Sequence, residues 1–316
     1  MSSTEQPLQW RIGLIGYGEV GRILAEDLRQ QNIVVSAYDV KLGTAAESPL
    51  REHASRFGVT LAASVTELAV TADLIISAVT ASQAMAVAAD CADAIRANAW
   101  FLDFNSASPG AKIRAAGCIE ATGGRYVEGA VMASVPPHRI RIPLLLGGPH
   151  ARTLEPLLNA VGFRAQVASE KLGVASATKM CRSVMIKGLE AMVIESLTAA
   201  RAYGVEDRVL ESLAETFPGI DWEKQAAYFF QRVIEHGRRR SEEVREVAET
   251  VREAGLTPWS SSGTAERQSW VADLTDQGVF GSRGKPAFAR SADWRTEADR
   301  ILARIDNENS NKDRMA

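Results

Sequence analysis

Ten residues near the N-terminus, Ile12-Gly13-Leu14-Ile15-Gly16-Tyr17-Gly18-Glu19-Val20-Gly21, set a G-x-G-x-x-G between an apolar β-type run and an amphipathic helical stretch. In a chain with 24 glycines the pattern alone is weak. Its place at a strand-to-helix junction gives it force. Gly16 permits a tight turn, Gly18 lets backbone approach a pyrophosphate, and Gly21 lets the helix pack on the strand. Tyr17, Glu19 and Val20 complete the loop. The free N–H groups and dipole of the helix end then hold phosphate. The bland alternative is an ordinary strand–helix turn.

The next β-type run ends Ala37-Tyr38-Asp39, which puts Asp39 18 residues beyond Gly21. A carboxylate there accepts hydrogen bonds from ribose hydroxyls and repels a 2′-phosphate, so NAD is the expected cofactor. Lys41, two residues on, leaves NADP open. Asn32, just past the first helix, suits a left-handed cap.

The first half continues in alternation. Strands are expected at residues 11–15, 33–38, 74–79, 100–103, 125–131, 143–146 and 164–167, with helices at 20–31, 83–97, 110–121 and 151–161 between them. This order implies βαβ units and a parallel sheet, and runs such as LIISAV are apolar on both faces, as a sheet covered on both sides requires. After residue 169 no strand-like run follows. Helices are expected at 170–203, 207–216, 221–236, 239–254, 265–277 and 290–305, with Gly255 and Pro258 ending the fourth and residues 278–288 forming a loop. The tail from Asn307 is expected to fray. The fold class is therefore α/β, a doubly wound Rossmann-type domain (1–168) followed by an all-α domain (169–316).

The helical segment from Gly173 carries Lys179, Arg182 and Ser183 among small and apolar residues that run almost all round it. A helix apolar on all sides is buried, and buried cations are costly unless paired or used. Lys179 and Ser183 share a face, with Arg182 beside them. The bland alternative is a lysine that stretches its stem to the surface.

With these residues in place, the chain resembles the β-hydroxyacid dehydrogenase superfamily, which includes 3-hydroxyisobutyrate and 6-phosphogluconate dehydrogenases. Gly13 to Leu28 follows the family's G-x-x-G-x-G-x-M-G-x-x-x-A-x-x-L, with Val20 in place of Met. Asp103-Phe104-Asn105-Ser106-Ala107-Ser108-Pro109 follows D-x-S-[ST]-x-x-P, with Asn105 for the first Ser. Gly173 to Ser183 follows G-x-G-x-x-x-K-x-x-x-N, with Ala175 for Gly and Ser183 for Asn. The resemblance covers residues 11 to 305, and the C-terminal half looks like a 6-phosphogluconate-dehydrogenase-like branch with few assigned substrates.

What the resemblance implies is hydride transfer between nicotinamide and the hydroxyl carbon of a small 3-hydroxy acid or related β-hydroxy compound, with Lys179 as general acid/base. A free lysine titrates near 10.4, so burial and nearby positive charge would have to lower it. Asn105, Ser106 and Ser183 would orient the substrate. Asn105, Val79 and Thr80 would also meet the cofactor. One departure stands out. The family's D-A-P-V-S-G-G loop corresponds to residues 128–134, where Met132, Ala133 and Ser134 replace Ser-Gly-Gly. A thioether donates no hydrogen bond, so these three residues point to an apolar pocket rather than carboxylate capture.

Arg182 and the arginines after His236 could supply an anion contact, although i,i+4 pairing (Arg238 with Glu242, Arg239 with Glu243, Arg245 with Glu249) favours a solvated helix face. Asp103 is read as shaping a turn at a strand end and Cys181 as packing. His53, His138 and His150 are scattered and form no metal constellation.

The remaining classes narrow on composition. A net charge of -3 gives no basic surface for nucleic acid. Three cysteines, without metal-ligand spacing, fit a reducing compartment. No signal sequence and no membrane-spanning run is expected. A cytoplasmic homodimer or larger homo-oligomer acting on a small molecule is therefore expected, a second subunit covering the apolar helix. Two other functions share this architecture. One is an imine reductase, which generally lacks the lysine; the other is a non-catalytic cofactor-binding regulator.

Overall fold

The computed structural model describes residues 7–285, 288–289 and 291–315, with side chains described to residue 308. The first compact unit comprises residues up to 181 together with 253–255, and the second comprises 182–252 and 256 onward. The change from α/β to all-α at residue 169 thus precedes the boundary between compact units, because the first turns of a long helix belong with the sheet.

The first unit holds strands β1 (Arg11–Ile15), β2 (Val34–Tyr38), β3 (Thr60–Leu61), β4 (Leu74–Ser77), β5 (Trp100–Asp103), β6 (Arg125–Val131), β7 (Pro143–Gly147) and β8 (Arg164–Ser169). Its helices are α1 (Glu19–Gln30), α2 (Ser48–Phe57), α3 (Val65–Thr71), α4 (Ala84–Ala92), α5 (Pro109–Ala121), α6 (Val135–His138) and α7 (Ala151–Ala160), with the start of α8 (Val174–Tyr203). The strands form a single sheet in the order β3-β2-β1-β4-β5-β6-β7-β8. β1 to β6 run parallel, whereas β7 is antiparallel to β6 and parallel to β8. The expected parallel sheet holds from β3 to β6, and the reversal of β7 is the departure from it. The connection from Met132 to Ile142 is short and holds only α6 and a 3-10 turn, too little for the crossover a parallel return needs.

Alternate strand residues go to opposite faces, as a pleated strand demands. Leu74, Ile76, Trp100 and Leu102 pack with α1, α2 and α7, while Ile75 and Phe101 pack with α3, α4 and α5. Both faces are therefore covered. β3, α2 and α3 are not among the expected elements: they are short, and their few apolar residues, such as Leu50, Ala54, Val65 and Leu68, give a weak periodic signal.

Pairing places Tyr38, Ile15, Ser77, Asp103, Glu128, Gly147 and Ser169 in one row across seven strands. In β1, β2, β4 and β5 this row is the carboxyl end of the strand, where open α/β sheets bind ligands. Because β7 and β8 run backwards from beyond the row, the chain also leaves the sheet at this level to enter α8.

The second unit contains the rest of α8, α9 (Glu206–Thr216), α10 (Trp222–Glu253), α11 (Trp259–Asp276) and α12 (Trp294–Met315). Its core joins Val193, Ile194 and Leu197 of α8 to Phe230, Val233 and Ile234 of α10, Val271 of α11 and Trp294 and Ile301 of α12. Two expected helices, 221–236 and 239–254, are a single one. Gly237 does not break α10; a Cβ there would lie 2.9 Å from the Gln268 carbonyl oxygen, so the glycine serves close helix packing. The tail does not fray at Asn307, since α12 continues to Met315. The helix start expected at Arg290, and Pro286 in the preceding loop, lie outside the described residues. Asn32 and Gly255 take the left-handed conformation expected of them, at φ 63° and 83°.

α8 is not buried on all sides. Met185 is 72% exposed, Met192 60% and Ile186 41%, and Cys181 is exposed rather than packed. No helix is long and apolar enough to cross a membrane among the described residues.

Candidate active site

The glycine loop follows β1 directly. Gly16 sits at φ +92°, and a Cβ there would lie 2.4 Å from the Ala78 carbonyl oxygen. At Gly21 a Cβ would lie 2.1 Å from the Gly16 carbonyl oxygen, so helix and turn touch backbone to backbone. Gly18 differs, with nothing within 4 Å of its added Cβ. It begins α1, whose N-terminus has no side-chain cap. An open backbone before uncapped N–H groups suits a pyrophosphate.

Asp39 directly follows β2 beside this loop. Its Oδ2 accepts the Tyr17 N–H at 2.9 Å and its Oδ1 the Lys41 N–H at 3.0 Å. Each oxygen keeps a further lone pair, so the carboxylate both shapes the loop and can take ribose hydroxyls. These residues fit a nicotinamide dinucleotide. Tyr17 is fully buried; its hydroxyl lies 2.8 Å from His53 Nδ1, and His53 Nε2 lies 3.0 Å from Glu26 Oε1. Burial raises the Tyr17 hydroxyl well above its ordinary range, partly offset by Arg22, and keeps it neutral. Arg139 joins the same cluster, its Nη2 2.7 Å from Glu26 Oε2 and its Nε 2.8 Å from Asp27 Oδ1.

At the ends of β4 and β5 the structure departs from the simplest reading. Asn105 is buried, its Oδ1 accepting the Val79 N–H at 2.7 Å and its Nδ2 donating to Ser77 Oγ at 2.9 Å. The amide ties two loops together, and Val79 is held through it. Thr80 stands exposed just beyond. Asp103 does shape the turn: Oδ1 accepts the Asn105 N–H at 2.9 Å and pairs with Lys112 Nζ at 2.8 Å, and Oδ2 accepts from Tyr126 Oη at 2.8 Å. Burial, then Asp103, pushes the Tyr126 hydroxyl up, so it remains a donor.

Lys179 stands on the second turn of α8, half-buried, and its Nζ donates to Ser106 Oγ at 2.6 Å. Two residues 73 positions apart in sequence thus meet at the carboxyl edge of the sheet. The start of α8 is held by Glu128, whose Oε1 accepts the Ala175 N–H and Oε2 the Ser176 hydroxyl, both at 2.9 Å. Met132 is half-buried at the end of β6, its N–H bonded to the Pro143 carbonyl at 2.9 Å, and Ala133 and Ser134 are exposed after it.

Arg182, Ser183 and His236 belong to the second unit. Arg182 is exposed and Ser183 buried. His236 is half-buried, and burial, together with Arg239, Arg232 and Arg240, lowers its pKa. Of the arginines, Arg239 pairs with Glu243 as its spacing implies, whereas Arg238 reaches Asp273 and Asp276 instead of Glu242. Arg240 is buried against Glu190, and Lys187 Nζ lies 2.6 Å from Glu243 Oε2.

Sequence reasoning missed Lys112 and the helix-capping role of Glu128. Lys112 could have been flagged as a cation on the apolar face of α5; nothing local signals the partner of Glu128.

A doubly wound sheet with an uncapped glycine loop, an acidic residue closing β2 and a lysine over the carboxyl edge defines a nicotinamide-dinucleotide oxidoreductase class. Residues 11–104 match the family described as NADP oxidoreductase coenzyme F420-dependent, and residues 200–271 match a domain of unknown function (DUF1932). The structure of a conserved hypothetical protein from Sinorhizobium meliloti is 40% identical, with 92% of this chain and 99% of that one covered and a TM-score of 0.71. A second conserved protein, of unknown function but with structural similarity to 3-hydroxyacid dehydrogenases, is 31% identical over 84% of this chain and 98% of that one, with a TM-score of 0.65. Mycobacterium tuberculosis 3-hydroxyisobutyrate dehydrogenase, in a structure with L-serine, shares the fold at 18% identity, 85% and 96% coverage and a TM-score of 0.67. The chain belongs to the 3-hydroxyacid dehydrogenase-like family of NAD(P)-dependent oxidoreductases.

Proposed function

We propose that this protein is an NAD-dependent dehydrogenase acting on the hydroxyl carbon of a small 3-hydroxy acid or related β-hydroxy compound. The observation that carries the reading is the contact between Lys179 Nζ and Ser106 Oγ, which sets a proton-transferring amine beside a hydroxyl that can mimic or hold a substrate hydroxyl. A bound nicotinamide dinucleotide would supply the hydride acceptor. Gly16, Gly18 and Gly21 would hold its pyrophosphate and Asp39 its ribose, with Tyr17, Glu19 and Val20 in the loop. Neutral Lys179 takes the substrate hydroxyl proton in oxidation, and its ammonium returns it in reduction. Ser106 orients the hydroxyl, while Asn105 acts through the loops it joins. Ser183, Arg182 and His236 are proposed as further substrate contacts on sequence grounds alone.

Met132, Ala133 and Ser134 favour a substrate with an apolar or aryl substituent. Burying one such group contributes about 1.5–3 kcal/mol. The exposed Met185, Ile186 and Met192 fit a homodimer, in which a second subunit covers them.

The test is a scan of 3-hydroxy acids and β-hydroxy amino acids, aryl-substituted ones included, for reduction of NAD and NADP. Lys179→Met should lower kcat by at least about 10²-fold while NAD binding persists. Near-normal turnover in the folded variant rejects the assignment. If a small unsubstituted acid such as 3-hydroxyisobutyrate wins by more than about tenfold in kcat/KM, the apolar pocket is wrong.

A further inference from the structure

Glu128 occupies an unusual position for a carboxylate. It is fully buried in the middle of β6, on the strand row that also holds Asp103. Burying an ionised carboxylate is costly unless its charge is compensated. Asp103 is compensated by Lys112 at 2.8 Å. Among the described residues, Glu128 has only the Ala175 N–H and the Ser176 hydroxyl, both in the first turn of α8. Its countercharge is therefore the positive end of that helix.

The surroundings are cut to this arrangement. On β7, beside Glu128, a Cβ added to Gly147 would lie 2.1 Å from Glu128 Oε1, so only glycine leaves room for the carboxylate. Lys179 follows Ala175 by four residues, which puts it on the same helix face and about 6 Å further along the axis. Helical side chains lean toward the N-terminus, so the lysine stem bends back toward the turn that Glu128 holds.

We propose that Glu128 is the positioning residue of Lys179, a buried carboxylate that pins the start of α8 to the sheet and favours the ammonium form of the lysine. This rests on Lys179 being the proton-transferring group. Other carboxylates at this edge are held by other elements, Asp103 by Lys112 and Tyr126, and Glu253 by the Ser108 hydroxyl and the Gly110 N–H at the start of α5, whereas Glu128 is held by the helix that carries Lys179. Glu128 is thus the carboxylate whose charge helps set the pH at which Lys179 gives up its proton.

The experiment is trace acetylation of the full-length protein with acetic anhydride across pH. Only unprotonated amines react, and peptide mass spectrometry reads Lys179 against the exposed Lys41. Glu128→Gln keeps the shape and removes the charge, so the Lys179 midpoint should fall by about half a pH unit or more. Ser176→Ala removes one hydrogen bond, keeps the charge and should leave the midpoint in place. An unmoved midpoint in Glu128→Gln, or an equal movement in both variants, overturns the proposal. Should Glu128→Gln not fold, Glu128→Asp, which withdraws the charge by one methylene, must lower the midpoint by a smaller amount, and no movement there overturns it. Labelling needs no substrate. A midpoint that moves in a protein whose Lys179→Met variant keeps full turnover would refute Lys179 as proton carrier and leave the action of Glu128 on the lysine standing.

Discussion

Replacing Lys112 with Met tests the packing that supports the substrate segment. Lys112 is 1% exposed, with Nζ 2.8 Å from Asp103 Oδ1 and 2.9 Å from the Asp103 carbonyl oxygen. Methionine fills nearly the same volume, so the change is mainly one of charge. Removing one partner of a buried ion pair costs about 3–5 kcal/mol, because the other charge is left uncompensated. Asp103 would retain Tyr126 Oη at 2.8 Å and the Asn105 N–H at 2.9 Å, which places the cost near the lower end, about 3 kcal/mol. In a unit of this size each kcal/mol moves the midpoint by about 2–4 °C, so the thermal transition of the sheet unit should fall by about 6–12 °C. Scanning calorimetry reads this directly, and the double variant Lys112→Met with Asp103→Asn should recover part of the loss, since no orphaned charge remains. A fall of less than about 2 °C would show that Asp103 is compensated elsewhere, and the reasoning would fail.

The two glycines after Gly16 should separate structure from binding. Gly21→Ala forces a clash with the Gly16 carbonyl and should lower both stability and cofactor affinity, whereas Gly18→Ala, with free space around its Cβ, should weaken cofactor binding alone, as read by calorimetry and titration. Asp39→Ser should narrow the preference for NAD over NADP in kcat/KM, and equal use of both cofactors by the native protein would refute the role of the carboxylate. The folded pKa of His236 is depressed by burial, so its stabilising contribution is present above about 6.5 and is lost as pH falls through the folded value. His236→Gln should therefore flatten the decline in stability below that pH, and unchanged slopes in denaturant titrations would contradict it.

Much of the first unit was legible because its signals are local. The glycine loop, the residue closing β2 and the apolar strands each carry their meaning within a few residues, and all lie where they were expected. β3 and α3 were not legible, being too short for periodicity to rise above chance. The reversal of β7 depends on how short a connection spans Met132 to Ile142, and strand direction leaves no periodic mark. The structural part of Asn105 was not legible for a related reason. Its position in the substrate segment suggested a ligand contact, whereas its bonds to Ser77 and Val79 join partners found only once β4 and β5 lie side by side, and they leave one N–H and one lone pair of the amide over. The contact of Lys179 with Ser106 was foreseen as a shared site, though not as a direct hydrogen bond.

Residues 253–255 join the first compact unit although more than seventy residues separate them from the rest of it. Glu253 receives the Ser108 hydroxyl and the Gly110 N–H at the start of α5, and a Cβ at Gly110 would lie 2.3 Å from its carboxylate. During synthesis the sheet can therefore assemble once residue 181 has emerged, yet the turn that carries Ser106 lacks its last anchor until residue 253 follows. At roughly 5–20 residues per second that interval lasts about 4–15 seconds. A fragment ending at residue 181 should fold with that turn loose, and its amide protons should exchange faster there than in the whole chain.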